Sequence, residues 1–123
     1  MRDWIVAVGF VAVAGGASLS SSLADTAGQR IDTRESFVSL VENTSLRRLG
    51  IRLNVHSDGT IQGRALGKEV TGTWKWEGGY FCRDLQYGAQ LLEYNCQQVE
   101  LRGDTLRFTS DRGTGQWADL RLN

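Results

Sequence analysis

The chain has 123 residues with 14 basic and 14 acidic side chains, and so carries no net charge at neutral pH. Because it has no excess of basic residues to neutralise phosphates, its composition argues against a nucleic-acid partner. The single histidine, His56, has no cluster of cysteines or carboxylates near it in the sequence. We therefore expect neither a metal site nor a cofactor.

The first 24 residues have the layout of a secretory signal peptide. Arg2 provides a positive charge, an apolar stretch runs from Ile5 to Leu19, and residues 22–24 form a small-residue cleavage site before Asp25. The alternative is an uncleaved anchor, but the apolar stretch is shorter than the roughly 20 residues that span a bilayer. We expect a periplasmic or secreted protein with no stable membrane insertion after cleavage.

A short helix is predicted between the signal peptide and the remainder of the chain. Asp32 and Glu35 have the spacing of a capping box, with Asp32 as the N-cap residue. Phe37 and Val41 follow at helical spacing, and the helix is expected to end near Asn43. Since its apolar stripe needs a partner surface, we expect this helix to close one end of a β structure.

From Leu46 onward the period of the apolar residues changes from 3.6 to 2, as in half-buried strands. Leu49, Ile51, Leu53 and Val55 predict one continuous first strand with these side chains inward. Turn signals and alternation indicate six more strands, near residues 60–66, 70–76, 80–85, 91–101, 105–109 and 116–122. The pattern predicts a mainly β protein: a small antiparallel meander barrel of about seven strands over residues 46–123, after a loose lead-in and helix over residues 25–45.

Two consecutive hairpins place apolar residues or glycines opposite one another. A turn centred on Asp58 pairs Val55 with Ile61, Leu53 with Gly63 and Ile51 with Ala65. A turn at Gly67-Lys68 pairs Ala65 with Val70, Gly63 with Gly72 and Ile61 with Trp74. Trp74 is therefore expected in the core, where the two glycines leave room for indole rings. Trp117 lies out of phase with its apolar neighbours and is expected outside the core.

Cys82 and Cys96 are expected to form a disulfide. A hairpin centred on Ala89 places them directly opposite each other, within the distance that a disulfide spans. Closing a loop of about 15 residues stabilises the folded state by about 3 kcal/mol in the chain-entropy model. The pair lacks the C-x-x-C spacing of redox motifs, so we interpret it as structural.

The turns on either side of this hairpin predict which of its faces is inside. Two-residue turns at Gly78-Gly79 and Gly103-Asp104 direct four polar side chains inward and the disulfide outward. The inward set is Arg83, Glu93, Asn95 and Gln97. A bulge or a longer loop would reverse the face and bury the more apolar set of Tyr80, Cys82, Tyr94 and Cys96. Both registers remain open, with the polar-inside register favoured slightly.

The candidate ligand-binding residues follow from the polar-inside register. They are Trp74, Arg83, Glu93, Asn95 and Gln97. One interpretation is an internally satisfied Arg83–Glu93 ion pair, because a buried charge must be paired. The other is the polar end of a small ligand pocket inside the barrel. Nothing singles out a catalytic group, and even the carboxylate pair of Asp84 and Glu93 has no distinguishing context, so enzyme activity is the minority interpretation.

Several segments of residues 45–115 together resemble a group of small exported proteins from marine and phototrophic alphaproteobacteria whose function is not established. The segments are Asp58-Gly59-Thr60-Ile61, Thr71-Gly72-Thr73-Trp74, Gly79-Tyr80-Phe81-Cys82-Arg83, Tyr94-Asn95-Cys96 and Phe108-Thr109-Ser110-Asp111-Arg112-Gly113. Members often carry the label dihydrodipicolinate reductase. This chain lacks the nucleotide-binding βαβ unit, the length and the histidine-rich motif of that enzyme. The architecture is also similar to calycin-like barrels, including lipocalins and small periplasmic protease inhibitors.

Two functional hypotheses follow, and architecture alone does not choose between them. The first is an exported, monomeric, non-catalytic barrel that binds a small ligand or a protein partner. The second is a protease-inhibitor-like or envelope accessory protein that acts through its surface. The oxidoreductase activity implied by the label is a remote third. A ligand-binding protein should contain an internal cavity of several hundred Å³ that Arg83 reaches, whereas an interaction protein should have a filled barrel.

Overall fold

The computed structural model describes residues 28–123, so the predicted signal peptide lies outside the described residues. This range contains nine strands and two helices. The strands are β1 (Gln29–Ile31), β2 (Ser45–Arg48), β3 (Ile51–Val55), β4 (Thr60–Ala65), β5 (Lys68–Glu77), β6 (Tyr80–Tyr87), β7 (Gln90–Arg102), β8 (Thr105–Thr109) and β9 (Trp117–Leu122). The helices are α1 (Arg34–Val41) and the single turn α2 (Ser110–Gly113).

Eight of these strands form a closed antiparallel barrel. Strands β2 to β9 each pair with the next strand in the chain, and β9 pairs back onto β2 to complete the ring. The predicted barrel architecture is therefore confirmed, with one strand more than the expected seven in the ring. Closure leaves no free sheet edge around most of the barrel, which removes a common route to aggregation.

Residues 29–31, just before the helix, are more ordered than the sequence suggests. The lead-in was expected to be loose, yet Gln29–Ile31 forms β1, which pairs with Val99–Leu101 of β7. β7 is 13 residues long and extends past the start of β6, so its backbone offers a pairing edge there. Ile31 is buried in the core as a result.

The predicted first strand is in fact two strands. The chain reverses at Leu49-Gly50, and β2 pairs with β3 so that Leu46 lies opposite Leu53. Leu49 was expected to point inward, but at this turn it is 97% exposed. Alternation continues through the turn in the sequence, and this is why the pattern by itself indicated one strand.

The predicted hairpin registers are correct in most places. The β3–β4 pairs are those expected, and both Trp76–Phe81 in β5–β6 and Val99–Phe108 in β7–β8 are confirmed. The β4–β5 register is wrong by two residues, because the turn is Leu66-Gly67 and places Ile61 opposite Gly72. Both turn residues have positive φ, 50° and 84°, as a type I′ turn requires.

Gly63 and Gly72 have a different role from the one predicted. A Cβ added to Gly63 would lie 2.0 Å from the carbonyl oxygen of Arg52, and one added to Gly72 would lie 2.1 Å from that of Asp84. The two glycines therefore make room for the backbone of the adjacent strand, not for indole rings. Such close backbone approach is typical of sharply bent positions in small barrels.

Helix α1 closes one end of the barrel, as the sequence predicts. Thr33, not Asp32, is the N-cap residue, and its hydroxyl accepts a hydrogen bond from the Ser36 amide. The helix ends at Val41, two residues before the expected position. Its Phe37 is fully buried and packs with ring centroids 5.0–6.4 Å from four aromatic side chains of the barrel, namely Trp74, Trp76, Phe81 and Phe108.

The two ends of the barrel can be assigned from the strand order. At the closed end, the Arg34 guanidinium of α1 donates to the carbonyl of Ser57 in the β3–β4 turn, and Trp76 donates to the carbonyl of Asp32. The β5–β6 and β7–β8 turns lie at this end as well, because antiparallel strands alternate in direction. The β2–β3, β4–β5, β6–β7 and β8–β9 connections lie at the opposite end, which we call the open end.

Candidate functional site

A cavity of about 300 Å³ occupies the interior of the barrel on the open-end side of Phe81 and Phe108. Its walls are mostly aliphatic or aromatic, and two of its four polar residues, Ser110 and Gln116, belong to the β8–β9 connection at the open end. The apolar lining is Leu46, Leu53, Val55, Ile61, Phe81, Leu85, Phe108, Trp117, Ala118 and Leu120, and the polar lining is Arg83, Gln97, Ser110 and Gln116. The cavity thus has an apolar floor and a polar mouth.

Among residues 28–123, Arg83 is the only charged residue that lines this cavity. It lies on the inner face of β6, opposite Trp74 on one side and Asn95 on the other, as the polar-inside register predicts. Its Nη1 donates a hydrogen bond of 2.6 Å to the backbone carbonyl of Glu93. Burial lowers the pKa of Arg83 because it removes the cation from water, while the nearby Asp84 partly opposes this effect.

The predicted ion pair between Arg83 and Glu93 is wrong. In the β6–β7 pairing, Arg83 lies opposite Asn95, and the next matched pair is Leu85 with Leu92. Between these pairs β6 has one residue, Asp84, whereas β7 has two, Glu93 and Tyr94. This β-bulge leaves the Glu93 side chain exposed at the surface, and only its carbonyl contacts Arg83. Within residues 28–123, no carboxylate forms an ion pair with Arg83.

Asn95 and Gln97 connect the cavity to the β8–β9 segment. The Asn95 amide donates to Asp111 Oδ1 at 2.8 Å and accepts from the Asp111 backbone amide at 3.0 Å. Gln97, which is buried, donates to the Ser110 hydroxyl at 3.3 Å. These bonds hold α2 beside the mouth, although Asp111 and Arg112 both have a φ of 55°, which is costly for residues other than glycine.

Trp74 does not line the cavity. It is buried in the core, as predicted, where its ring packs against Phe37 and Phe81. Its indole nitrogen donates to the backbone carbonyl of His56 at 2.8 Å, which satisfies its polar group at the closed end. Of the five predicted ligand-binding residues, the structure thus brings Arg83 and Gln97 to the cavity, places Asn95 and Glu93 in the surface depression that Arg83 also borders, and leaves Trp74 in the core.

The Cys82–Cys96 disulfide is present and lies on the outer face of the barrel. Cys82 is opposite Lys75, which is exposed, whereas the neighbouring Trp74 and Phe81 belong to the core. Both cysteines are nevertheless buried, and the Tyr94 hydroxyl lies 3.6 Å from the Cys96 sulfur. The carboxylate of Glu77 is close to both sulfurs, but sulfurs bonded to each other are not available as metal ligands.

The sequence did not single out Gln116, and it placed Trp117 at a rim or partner surface without naming it as a site residue; both border the cavity. Trp117 is 57% exposed, outside the core as expected, and the Arg107 guanidinium lies 3.6 Å from its ring centroid. Arg107 also donates to Asp119 at 2.8 Å, and this bond holds the pKa of Asp119 below its usual range. No motif marks these residues, and the pairing of β9 with β8 brings them to the mouth.

The chain was compared with known protein families, curated proteins and solved structures, and none of the three comparisons found a match. Among the described residues, no helix has the length and apolar character needed to cross a bilayer.

Proposed function

We propose that this protein is a non-catalytic binding protein for a small amphipathic anion, which it holds inside the barrel. The apolar body of the ligand would fill the space above Phe81 and Phe108. Its carboxylate or similar group would lie at Arg83. A volume of about 300 Å³ is at the lower limit of typical small-molecule sites, so the ligand is small.

The observation that carries this proposal is a half-buried arginine with no carboxylate partner among the described residues. Desolvating a guanidinium is costly unless an anion compensates for it, and one backbone carbonyl provides only part of that compensation. A ligand carboxylate would complete the site with a charge-assisted pair, for which arginine has suitable planar geometry.

The same cavity favours ligand binding over the alternative of a purely surface-acting, protease-inhibitor-like protein. A barrel that serves only as a scaffold is expected to be filled by its own side chains. Here the inner face of β6 instead presents Arg83 and Leu85 to an open space that continues to the surface beside Gln116. We take the ligand to be a small molecule on this ground.

Calorimetric titration with octanoate and with octan-1-ol tests the proposal, since the two probes share an alkyl chain and differ in charge. We expect octanoate to bind more tightly than the alcohol. Arg83→Met should weaken octanoate binding by about tenfold to a hundredfold, the range for a hydrogen-bonded charge, and leave octanol binding unchanged.

The matched control is Arg102→Met. It removes the same charge from the outer face near the closed end, where Arg102 pairs with Glu100. This variant should bind octanoate like the wild type. Equal binding of octanoate by the wild type and Arg83→Met would refute the assignment of Arg83 as the anion-binding residue.

We further propose that the protein acts in the periplasm or outside the cell. A disulfide is typical of oxidising compartments, and the signal-like residues 1–24 would direct export. Intact-mass analysis of protein from the producing cell should give a chain that begins at or near Asp25 and contains no free thiol. A full-length chain with two thiols that react with maleimide would contradict this proposal.

A further inference from the structure

Four arginines form a row across the outer face of four neighbouring strands. Arg47 of β2 lies directly opposite Arg121 of β9 and Arg52 of β3, and Arg52 lies directly opposite Arg64 of β4. Side chains in such positions have Cβ atoms roughly 4.5–5.5 Å apart, and like charges there are destabilising. A row of this kind in a chain with no net charge needs an explanation.

The row is only weakly neutralised by its surroundings. Within residues 28–123, none of Arg47, Arg52 and Arg64 forms an ion pair with a carboxylate. Arg121 is 3.9 Å from Asp104, but both side chains are exposed, and such pairs contribute little. Glu69 continues the row on β5, opposite Arg64, so that two carboxylates, Glu69 and Asp104, stand against four arginines.

Exposed leucines project from the turns at the open end. Leu49 in the β2–β3 turn is 97% exposed and Leu66 in the β4–β5 turn is 73% exposed. The two turns touch each other, because a Cβ on Gly50 would lie 2.8 Å from Leu66 Cδ2. Leu91, at the start of β7 on the same end, is 76% exposed. These side chains form an apolar tip around the open end.

The apolar tip and the arginine row are adjacent. Arg47 is two residues before Leu49 and Arg64 is two residues before Leu66, so each arginine lies near the end of its strand and each leucine in the turn that follows. Two residues of chain span at most about 7 Å, so the arginines lie within roughly that distance of the leucines. Interfacially bound proteins bury their apolar side chains about 5–10 Å into the boundary between headgroups and acyl chains.

We propose that the open end docks on the surface of a membrane that contains anionic lipids. Leu49 and Leu66 enter the interfacial layer, and the arginine row binds lipid phosphates, to which guanidinium groups are well suited. An acidic protein partner would need only the arginines for binding. Leucines that protrude ahead of arginines instead fit a bilayer surface, where the apolar layer lies beneath the charged headgroups. Docking does not depend on ligand binding, but it would place the cavity mouth where amphipathic molecules partition.

Cosedimentation with vesicles tests this proposal. The full mature chain is mixed with vesicles of phosphatidylcholine alone or of an equimolar mixture with phosphatidylglycerol. We expect binding to the anionic vesicles, which weakens as salt is added, and little binding to phosphatidylcholine. Arg52→Gln/Arg64→Gln should lower the partition coefficient about thirtyfold, and Leu49→Ser/Leu66→Ser by about tenfold or more.

The matched control is Lys75→Gln/Arg102→Gln, which removes two exposed or half-exposed charges away from the open end and should bind as the wild type does. Wild-type protein that stays in the supernatant with anionic vesicles would overturn the proposal. It would also be overturned if soluble polyglutamate were bound through the arginines with no effect of the leucine substitutions, since the row would then serve an acidic protein. Octanoate titrations of the same variants without vesicles should be unchanged, which separates this test from that of the cavity.

Discussion

The closed and open ends of the barrel use similar apolar side chains in opposite ways. At the closed end, Phe37 of α1 is fully buried among four aromatic rings, and Trp74 is 6% exposed beside it. At the open end, Leu49 and Leu66 project from turns into solvent, above a cavity that the protein does not fill. The difference comes from what covers each end: the eight-residue helix α1 at the closed end, and turns with the single-turn α2 at the open end.

Under the proposed binding function, this contrast separates ligand binding from the tightly packed closed end along the barrel axis. The aromatic cluster at the closed end provides a rigid base, so the mouth can keep an unfilled cavity and a half-buried arginine. Binding sites commonly have such locally unfavourable features, which the packing elsewhere in the fold must offset. Four predictions test the separation, starting with the largest expected effect.

Phe37→Ala should be among the most damaging substitutions at the closed end. Deletion of a fully buried phenylalanine ring costs about 3–5 kcal/mol of unfolding free energy, from lost burial and from the cavity it leaves. Urea unfolding followed by circular dichroism measures this loss. Leu91→Ala at the open end is the matched control and should cost less than about 0.5 kcal/mol, because Leu91 is exposed. Equal losses of unfolding free energy from both variants would mean that the two ends contribute equally to stability.

Removal of the disulfide by Cys82→Ser/Cys96→Ser should destabilise the protein by about 3 kcal/mol, as expected for a loop of this length in the chain-entropy model. The bond joins β6 to β7 just before the bulge, at the boundary between the packed half and the exposed hairpin tip. Hydrogen exchange should therefore accelerate most in residues 84–94. Uniform acceleration across the barrel would show that the bond stabilises both halves equally.

Thr33→Ala should cost about 1 kcal/mol, the usual effect of losing an N-cap side chain. Its hydroxyl accepts the Ser36 amide, so the loss would loosen the helix that covers the closed end. Asp32→Ala is the natural comparison, because the sequence pattern indicated Asp32 as the cap. It should cost less than about 0.5 kcal/mol. Thermal unfolding of the two variants side by side distinguishes them. A larger loss from Asp32→Ala than from Thr33→Ala would mean that Asp32 is the N-cap residue after all, as the capping-box pattern predicts.

Arg83→Met should change the unfolding free energy by less than about 1 kcal/mol, although the residue is half-buried. This is the smallest of the four expected effects. The substitution removes a half-buried charge and leaves no described carboxylate unpaired, since the Glu93 side chain is exposed. Chemical denaturation at neutral pH measures the change. A loss of 3 kcal/mol or more, on the order found when a buried pair is broken, would show that the mouth contributes to stability after all.

The sequence by itself determined which residues face inward on most strands. Alternation with a period of two is a local signal. The two-residue turns at Gly78-Gly79 and Gly103-Asp104 then indicated which residues of β6 and β7 point inward. Those signals correctly placed Arg83 and Gln97 inside and the disulfide outside. The inward-facing residues of β4 and β5 were also predicted correctly although their register is wrong by two residues, because a shift by two leaves every side chain on its predicted face.

Only the tertiary structure decided where strands end and which distant side chains meet. The reversal at Leu49-Gly50 and the bulge opposite Asp84 both interrupt the alternation without a distinctive signal, and they moved Leu49 and Glu93 from the predicted interior to the surface. The pairing of β2 with β9, which brings Arg121 beside Arg47, joins segments more than 70 residues apart. The physical reason is that closure of a barrel depends on the bend and length of every strand, whereas a sequence pattern reports only on its neighbours.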